Sequence, residues 1–286
     1  MALSFNSSGQ QENSGSTTNS FSFTNTSGNV LVVFTVNDVV EDLTSVTYNG
    51  VSLTSITSQD GASGFVRCQM WYLKSPATGA NTLTATRPTG TGGFTVHAVS
   101  YAGANTATQP DSYASTTNTS TSTTQTTTVV SANCWLVAGI TANSNGLSGS
   151  TGRTTKTTGA GQIGGTRIFD SNGTVGTGSQ SLTQTMNAGE NTGIIISLKA
   201  PLDYPITASF GSFTLTGQNS ILNYGRTIIA SVGYFILTGF DTTLTWFKKW
   251  TKQDKNTSVE TNQTPSSTTW SNNSKNTSSE TNQTKN

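Results

Sequence analysis

Charge is the first thing this sequence lacks. Only 9% of its 286 residues are Asp, Glu, Lys or Arg, against roughly 25% in a typical soluble domain, and the formal net charge is +1. A nucleic-acid surface needs clustered Lys and Arg, so no nucleic-acid partner is expected. The short basic cluster Lys248-Lys249-Trp250-Thr251-Lys252 reads as a solvated junction. Histidine is nearly absent as well. His97 stands alone in an alternating segment and reads as a strand residue facing a polar surface, not as a catalyst. No Ser-His-Asp set forms around it. Acids are sparse, and Asp38, Glu41 and Asp42 form their tightest cluster. They have neither the spacing nor the glycine of a calcium loop, and they read as a turn. No catalytic residue, metal or cofactor is expected, and the chain is not expected to be an enzyme.

Cysteine is scarce too. Cys68 and Cys134 each sit in an apolar segment. They are too few for a disulfide framework and read as buried thiols, with a pairing between them left open. No run of 18 apolar residues occurs, so no membrane insertion is expected. The N-terminal MALSFNSSGQQENSGS lacks the basic-then-apolar pattern of a secretion signal. Yet Ser, Thr, Asn and Gly fill the surface positions that Lys and Glu usually take, which is an extracellular style. Synthesis in a host cytoplasm and release by lysis, within a virus particle, reconciles the two. The Gly159–Gly165 stretch lacks the Lys-Ser/Thr end and the following helix of a phosphate loop. The many Asn-x-Ser/Thr triplets follow from the composition and are not read as glycosylated.

What the sequence does contain is strand signal. Asn29–Val36 is a β-branched run between Gly28 and Asn37-Asp38. Val46–Leu53 alternates around Asn49-Gly50, the favoured pair for a type I′ hairpin. Gly64–Leu73, Asn81–Thr86, Phe94–Tyr101, Thr126–Val130, Cys134–Thr141, Gly164–Phe169, Ser181–Met186 and Gly193–Leu198 read the same way. Helix formers are too scarce for an amphipathic helix. The expectation is an all-β chain: an antiparallel, jelly-roll-like sandwich over residues 20–200. The Thr/Ser/Asn-rich residues 105–125 and the Gly/Thr-rich residues 143–165 read as long loops or as polar strands facing solvent.

Beyond residue 200 the chain repeats itself. Residues 201–205 read as a linker. ASFGSFTLTG at Ala208–Gly217 returns as ASVGYFILTG at Ala230–Gly239, twenty-two residues on, and Leu222 returns as Leu244. Two such units, over residues 206–247, cannot close a core, since about three repeats are usually needed; several chains side by side could. The polar tail, residues 248–286, repeats over twenty residues: Trp250 matches Trp270, and ETNQT at Glu260–Thr264 returns at Glu280–Thr284. Each copy holds one Trp and almost no aliphatic residue, too little to offset the entropy of ordering it alone. Trp250, Trp270, Phe213 and Phe235 are therefore the candidates for partner binding. Among the other aromatics, Trp71, Trp135 and Tyr101 read as core, and Tyr113 as exposed. Residues 1–19 read as a polar N-terminal arm.

The series Ser45–Leu53, Met70–Leu83 and Ala98–Ala104 resembles a β-sandwich domain of bacteriophage and prophage particle proteins and of some bacterial surface proteins. GSFTLTGQ at Gly211–Gln218 resembles short repeats appended to phage virion proteins, and the tail around Trp270–Ser278 is similar to polar repeats that close them. The resemblance covers about 200 of the 286 residues. It implies a non-enzymatic virion component: a tail fibre or tail-tip protein, a head fibre or a capsid decoration protein. The expected partners are other virion proteins and, through the repeats, copies of the chain itself, with a homotrimer favoured and a host-surface glycan as a further contact. The rival expectation is a carbohydrate-binding or adhesin module of a bacterial surface protein.

Overall fold

A computed structural model describes residues 3–64, 66–143, 146–148, 154–161, 164–201, 213–215 and 235–237. The described part is all-β, with antiparallel sheets through residue 198. In chain order, β1 (Ser4–Ser14), β2 (Thr18–Asn25), β3 (Val30–Asn37), β4 (Ser45–Tyr48), β5 (Val51–Ser52), β6 (Thr54–Asp60), β7 (Arg67–Lys74), β8 (Gly79–Thr86) and β9 (Gly93–Ala102) come first. Then follow β10 (Ser112–Thr119), β11 (Ser122–Val129), β12 (Trp135–Ala142), β13 (Thr154–Gly161), β14 (Gly164–Asp170), β15 (Gly178–Thr185) and β16 (Glu190–Leu198). Two short strands, β17 (Phe213–Leu215) and β18 (Phe235–Leu237), lie in a separate compact unit.

The expected single sandwich is two sandwiches of one design. The first half pairs as β1-β9-β3-β7-β6 facing β2-β8-β4-β5, and the second as β10-β16-β12-β14-β13 facing β11-β15. Each strand of the second half takes the place of one in the first; only β4 and β5 have no counterpart. The correspondence reaches single residues. β8 reads GANTLTAT and β15 reads GSQSLTQT, each opening on a left-handed glycine, Gly79 at φ 89° and Gly178 at φ 94°. The hydroxyls of Ser20 and Thr84 meet at 2.9 Å across β2 and β8, and those of Thr124 and Thr183 meet at 2.9 Å across β11 and β15. β6 slips register between Ser55 and Thr57, and β13 slips between Thr155 and Thr157.

The two five-stranded sheets pack face to face. Val30, Val32, Phe34, Met70, Val99 and Tyr101 of the first meet Trp135, Val137, Ile168, Ile194 and Ile196 of the second in one core. A further core lies between each five-stranded sheet and its own outer sheet. The inner sheets are thus covered on both faces, and all eight residues of β3 and of β12 are buried. This is why these strands read as unbroken apolar runs instead of alternating ones. The edges meet reciprocally: β1 lies against β13, and β10 against β6. Ser8 Oγ donates to the Lys156 carbonyl at 3.2 Å, and Ser115 Oγ donates to Gln59 Oε1 at 2.6 Å. Such an exchange of edges is the pattern of a two-fold interface, here within one chain.

One reading shifts. Residues 4–14 are an edge strand of the first inner sheet, so the N-terminal segment is not an arm outside the sandwich. Of the two readings for residues 105–125 and 143–165, long loops or polar strands, strands are present in both: β10 and the start of β11 in the first stretch and β13 in the second. The Asn49-Gly50 turn is as expected, with φ of 51° and 76° joining Tyr48 to its partner Val51. Cys68 and Cys134 are both buried and unpaired.

Candidate functional site

Of the four partner-binding candidates, Phe213 and Phe235 come together. β17 and β18 run parallel and in register, so that Phe213 faces Phe235, Thr214 faces Ile236 and Leu215 faces Leu237. The pairing offset equals the sequence period, so each strand lies beside its own next copy. Among the described residues this sheet has two strands, and the outer backbone N–H and C=O groups of a strand pair are where another strand can add. Trp250, Trp270 and the Lys248–Lys252 cluster lie outside the described residues.

His97 is not on a polar surface. It is wholly buried between the halves, because in β9 it shares the inner face with Val99 and Tyr101. Its Nδ1 lies 2.5 Å from Thr157 Oγ1 and its Nε2 lies 2.9 Å from Thr166 Oγ1, both across the seam. Burial pushes its pKa down to about 3. A neutral ring with both nitrogens held by hydroxyls is a structural peg.

A second polar cluster lies on the same seam. Lys156 occupies the bulge of β13, and its Nζ lies 3.3 Å from Asp170 Oδ2, with the two side chains 5% and 0% exposed. Tyr101 donates its hydroxyl to the same Oδ2 at 2.8 Å, and the Asn172 backbone N–H donates to Oδ1 at 2.9 Å. The Phe5 ring lies under the Lys156 ammonium, with its centroid 3.8 Å away. Burial raises the pKa of Asp170. Burial, reinforced by the adjacent Asp170 charge, lifts that of Tyr101 well above its ordinary value.

Other charges among the described residues are held singly. Asp38 accepts from the Gly93 N–H at 3.4 Å, Glu41 from the Thr89 hydroxyl at 2.9 Å, and Asp42 pairs with Arg67 at 2.9 Å. Arg87 is buried. It donates to the carbonyls of Ser16, Gly92 and Gly93 and lies 5.0 Å over the Phe94 ring. Among the described residues no group of three or more His, Cys, Asp or Glu side chains could hold a metal ion. Trp71, Trp135 and Tyr101 are core residues, whereas Tyr113 on β10 is 55% exposed.

Comparison with protein-family models, with curated proteins and with solved structures returns no match. Sequence reasoning missed Lys156 and Asp170, which lie 14 residues apart and carry no motif. It also missed the duplication, although GANTLTAT and GSQSLTQT were there to be aligned.

Proposed function

We propose that the chain is a non-enzymatic structural component of a phage particle, of the tail, fibre or capsid-decorating kind, and that it self-assembles through its repeats. The observation that carries this reading is the in-register parallel pairing of β17 with β18. A strand whose neighbour is the next copy of itself accepts the same strand from a second chain in the same way, which suits a homo-oligomer, with a trimer favoured.

The sandwich supports the reading at one remove. In the first half β1 pairs with β9, β2 with β8, β3 with β7 and β4 with β5. This nesting supports reading the sandwich as jelly-roll-like, an architecture common in viral capsid and lectin domains. The test is proteomics of density-purified particles from a producing culture. The chain co-purifies at stoichiometric level if the reading holds; its absence from the particles overturns it.

One observation favours a glycan-binding role, on the particle or on a bacterial surface. Tyr113 is exposed on an edge strand whose other residues are Ser, Thr, Asn and Ala, and such a ring is suited to stacking on a sugar face. On a glycan array the full chain then shows binding that Tyr113→Ala removes.

A further inference from the structure

We propose that Lys156 and Asp170 are the site of a self-formed isopeptide bond, an amide between lysine Nζ and aspartate Cγ that ties edge strand β13 to β14. The proposal stands independently of the particle reading.

The atoms are placed for it. Nζ and the carboxyl group are already in contact, and both side chains are shut from water. The two carboxyl oxygens are held differently. Oδ1 accepts the backbone N–H of Asn172, while Oδ2 accepts the phenol of Tyr101 and faces Nζ. The Phe5 ring closes the lysine side.

The chemistry is a condensation. In an apolar enclosure the ion pair passes one proton from Nζ to Oδ2 and becomes amine and acid, a direction favoured by the raised pKa of Asp170. Nζ then attacks Cγ, and the electron pair moves onto Oδ1, where the Asn172 N–H receives the developing charge. As the C–O bond to Oδ2 breaks, Tyr101 gives its proton to the leaving oxygen and recovers one from nitrogen. Nζ keeps one hydrogen, Oδ2 departs with two as water, and no oxidant or cofactor takes part.

The sister half argues against a plain packing role for this pair. There the bulge residue is Ile56, packed on the apolar core, and the position of Asp170 is held by Tyr72. The same strands and the same bulge stand without an ion pair. Burying two charges carries a desolvation penalty, and an apolar pair often serves as well.

The test is the intact mass of the purified full chain, followed by tandem mass spectrometry of its proteolytic digest. The expected result is a chain lighter than its sequence by one water, with a branched peptide joining Lys156 to Asp170. Lys156→Met restores the full mass, and so does Asp170→Ala; the wild-type mass decides the matter even if these variants fold poorly. A wild-type chain at full sequence mass overturns the proposal and leaves an ion pair only. A water loss confined to a linear peptide, as from a cyclised aspartate, overturns it equally.

Discussion

Single residues show how the two halves lock. Phe34 of β3 and Gly139 of β12 hold equivalent places in the two inner sheets, since each lies opposite the matching residue, Met70 or Ile168, of the next strand. A Cβ on Gly139 would lie 2.3 Å from the Phe34 ring. One half has thus filled the position, and the other has emptied it to make room. Gly139→Ala should cost about 1–3 kcal/mol through overpacking, read by chemical denaturation, and Phe34→Leu should recover part of the loss. His97 makes a pH prediction. Its folded pKa, about 3, lies below its ordinary value of 6.5, so the unfolded chain takes up the proton first. Its contribution is fully present above about pH 6.5 and falls as pH drops toward 3, by up to about 1.4 kcal/mol per pH unit. Denaturation midpoints between pH 7 and pH 4 should therefore fall more steeply for the native chain than for His97→Ile, the change that copies Ile194 of the sister half. Equal slopes would remove His97 from the acid response. The buried fate of Cys68, Trp71 and Trp135 was legible from their apolar neighbours. That of His97 was not, because alternation says which residues share a face but not that a second sheet covers it.

At the level of elements, most strands of the sandwich announce themselves by β-branched residues and turn glycines. Polar strands do not: β1 reads as an arm outside the sandwich, and β10 lies in a stretch that reads either as a long loop or as polar strands. β1 and β10 are edge strands of Ser, Asn, Gln and Thr, and their pairing comes from partners β9 and β16 rather than from their own apolar content. The runs at β3 and β12 carried more information than a strand assignment: a run without alternation means cover on both faces, and two such runs in one chain point to stacked layers. The repeats were legible by eye, but parallel register was not, because identical strands can pair either way. A backbone test belongs here. Thr214→Pro with Ile236→Pro removes one backbone donor from each of β17 and β18, and both changes lie outside the strands of the sandwich. It should abolish self-association, read by sedimentation velocity, without shifting the thermal midpoint of the sandwich. Unchanged association would exclude this ladder as the contact.

For the whole molecule, duplication explains why a chain with so little charge carries so large an apolar interior. Each half alone would expose the inner face that holds Val30, Val32, Phe34, Val99 and Tyr101, or its counterpart. A fragment of residues 1–103 should accordingly associate with itself face to face, because the intact chain already joins two such faces. Sedimentation of the fragment tests this, and a stable monomer would contradict it. The proposed assembly through the repeats has its most direct test in mass in solution. Light scattering should give a trimer or larger multiple for the full chain and a monomer for the chain ending at Ala200. If both run as monomers, the repeats do not assemble the protein, and the structural role proposed for it loses its support.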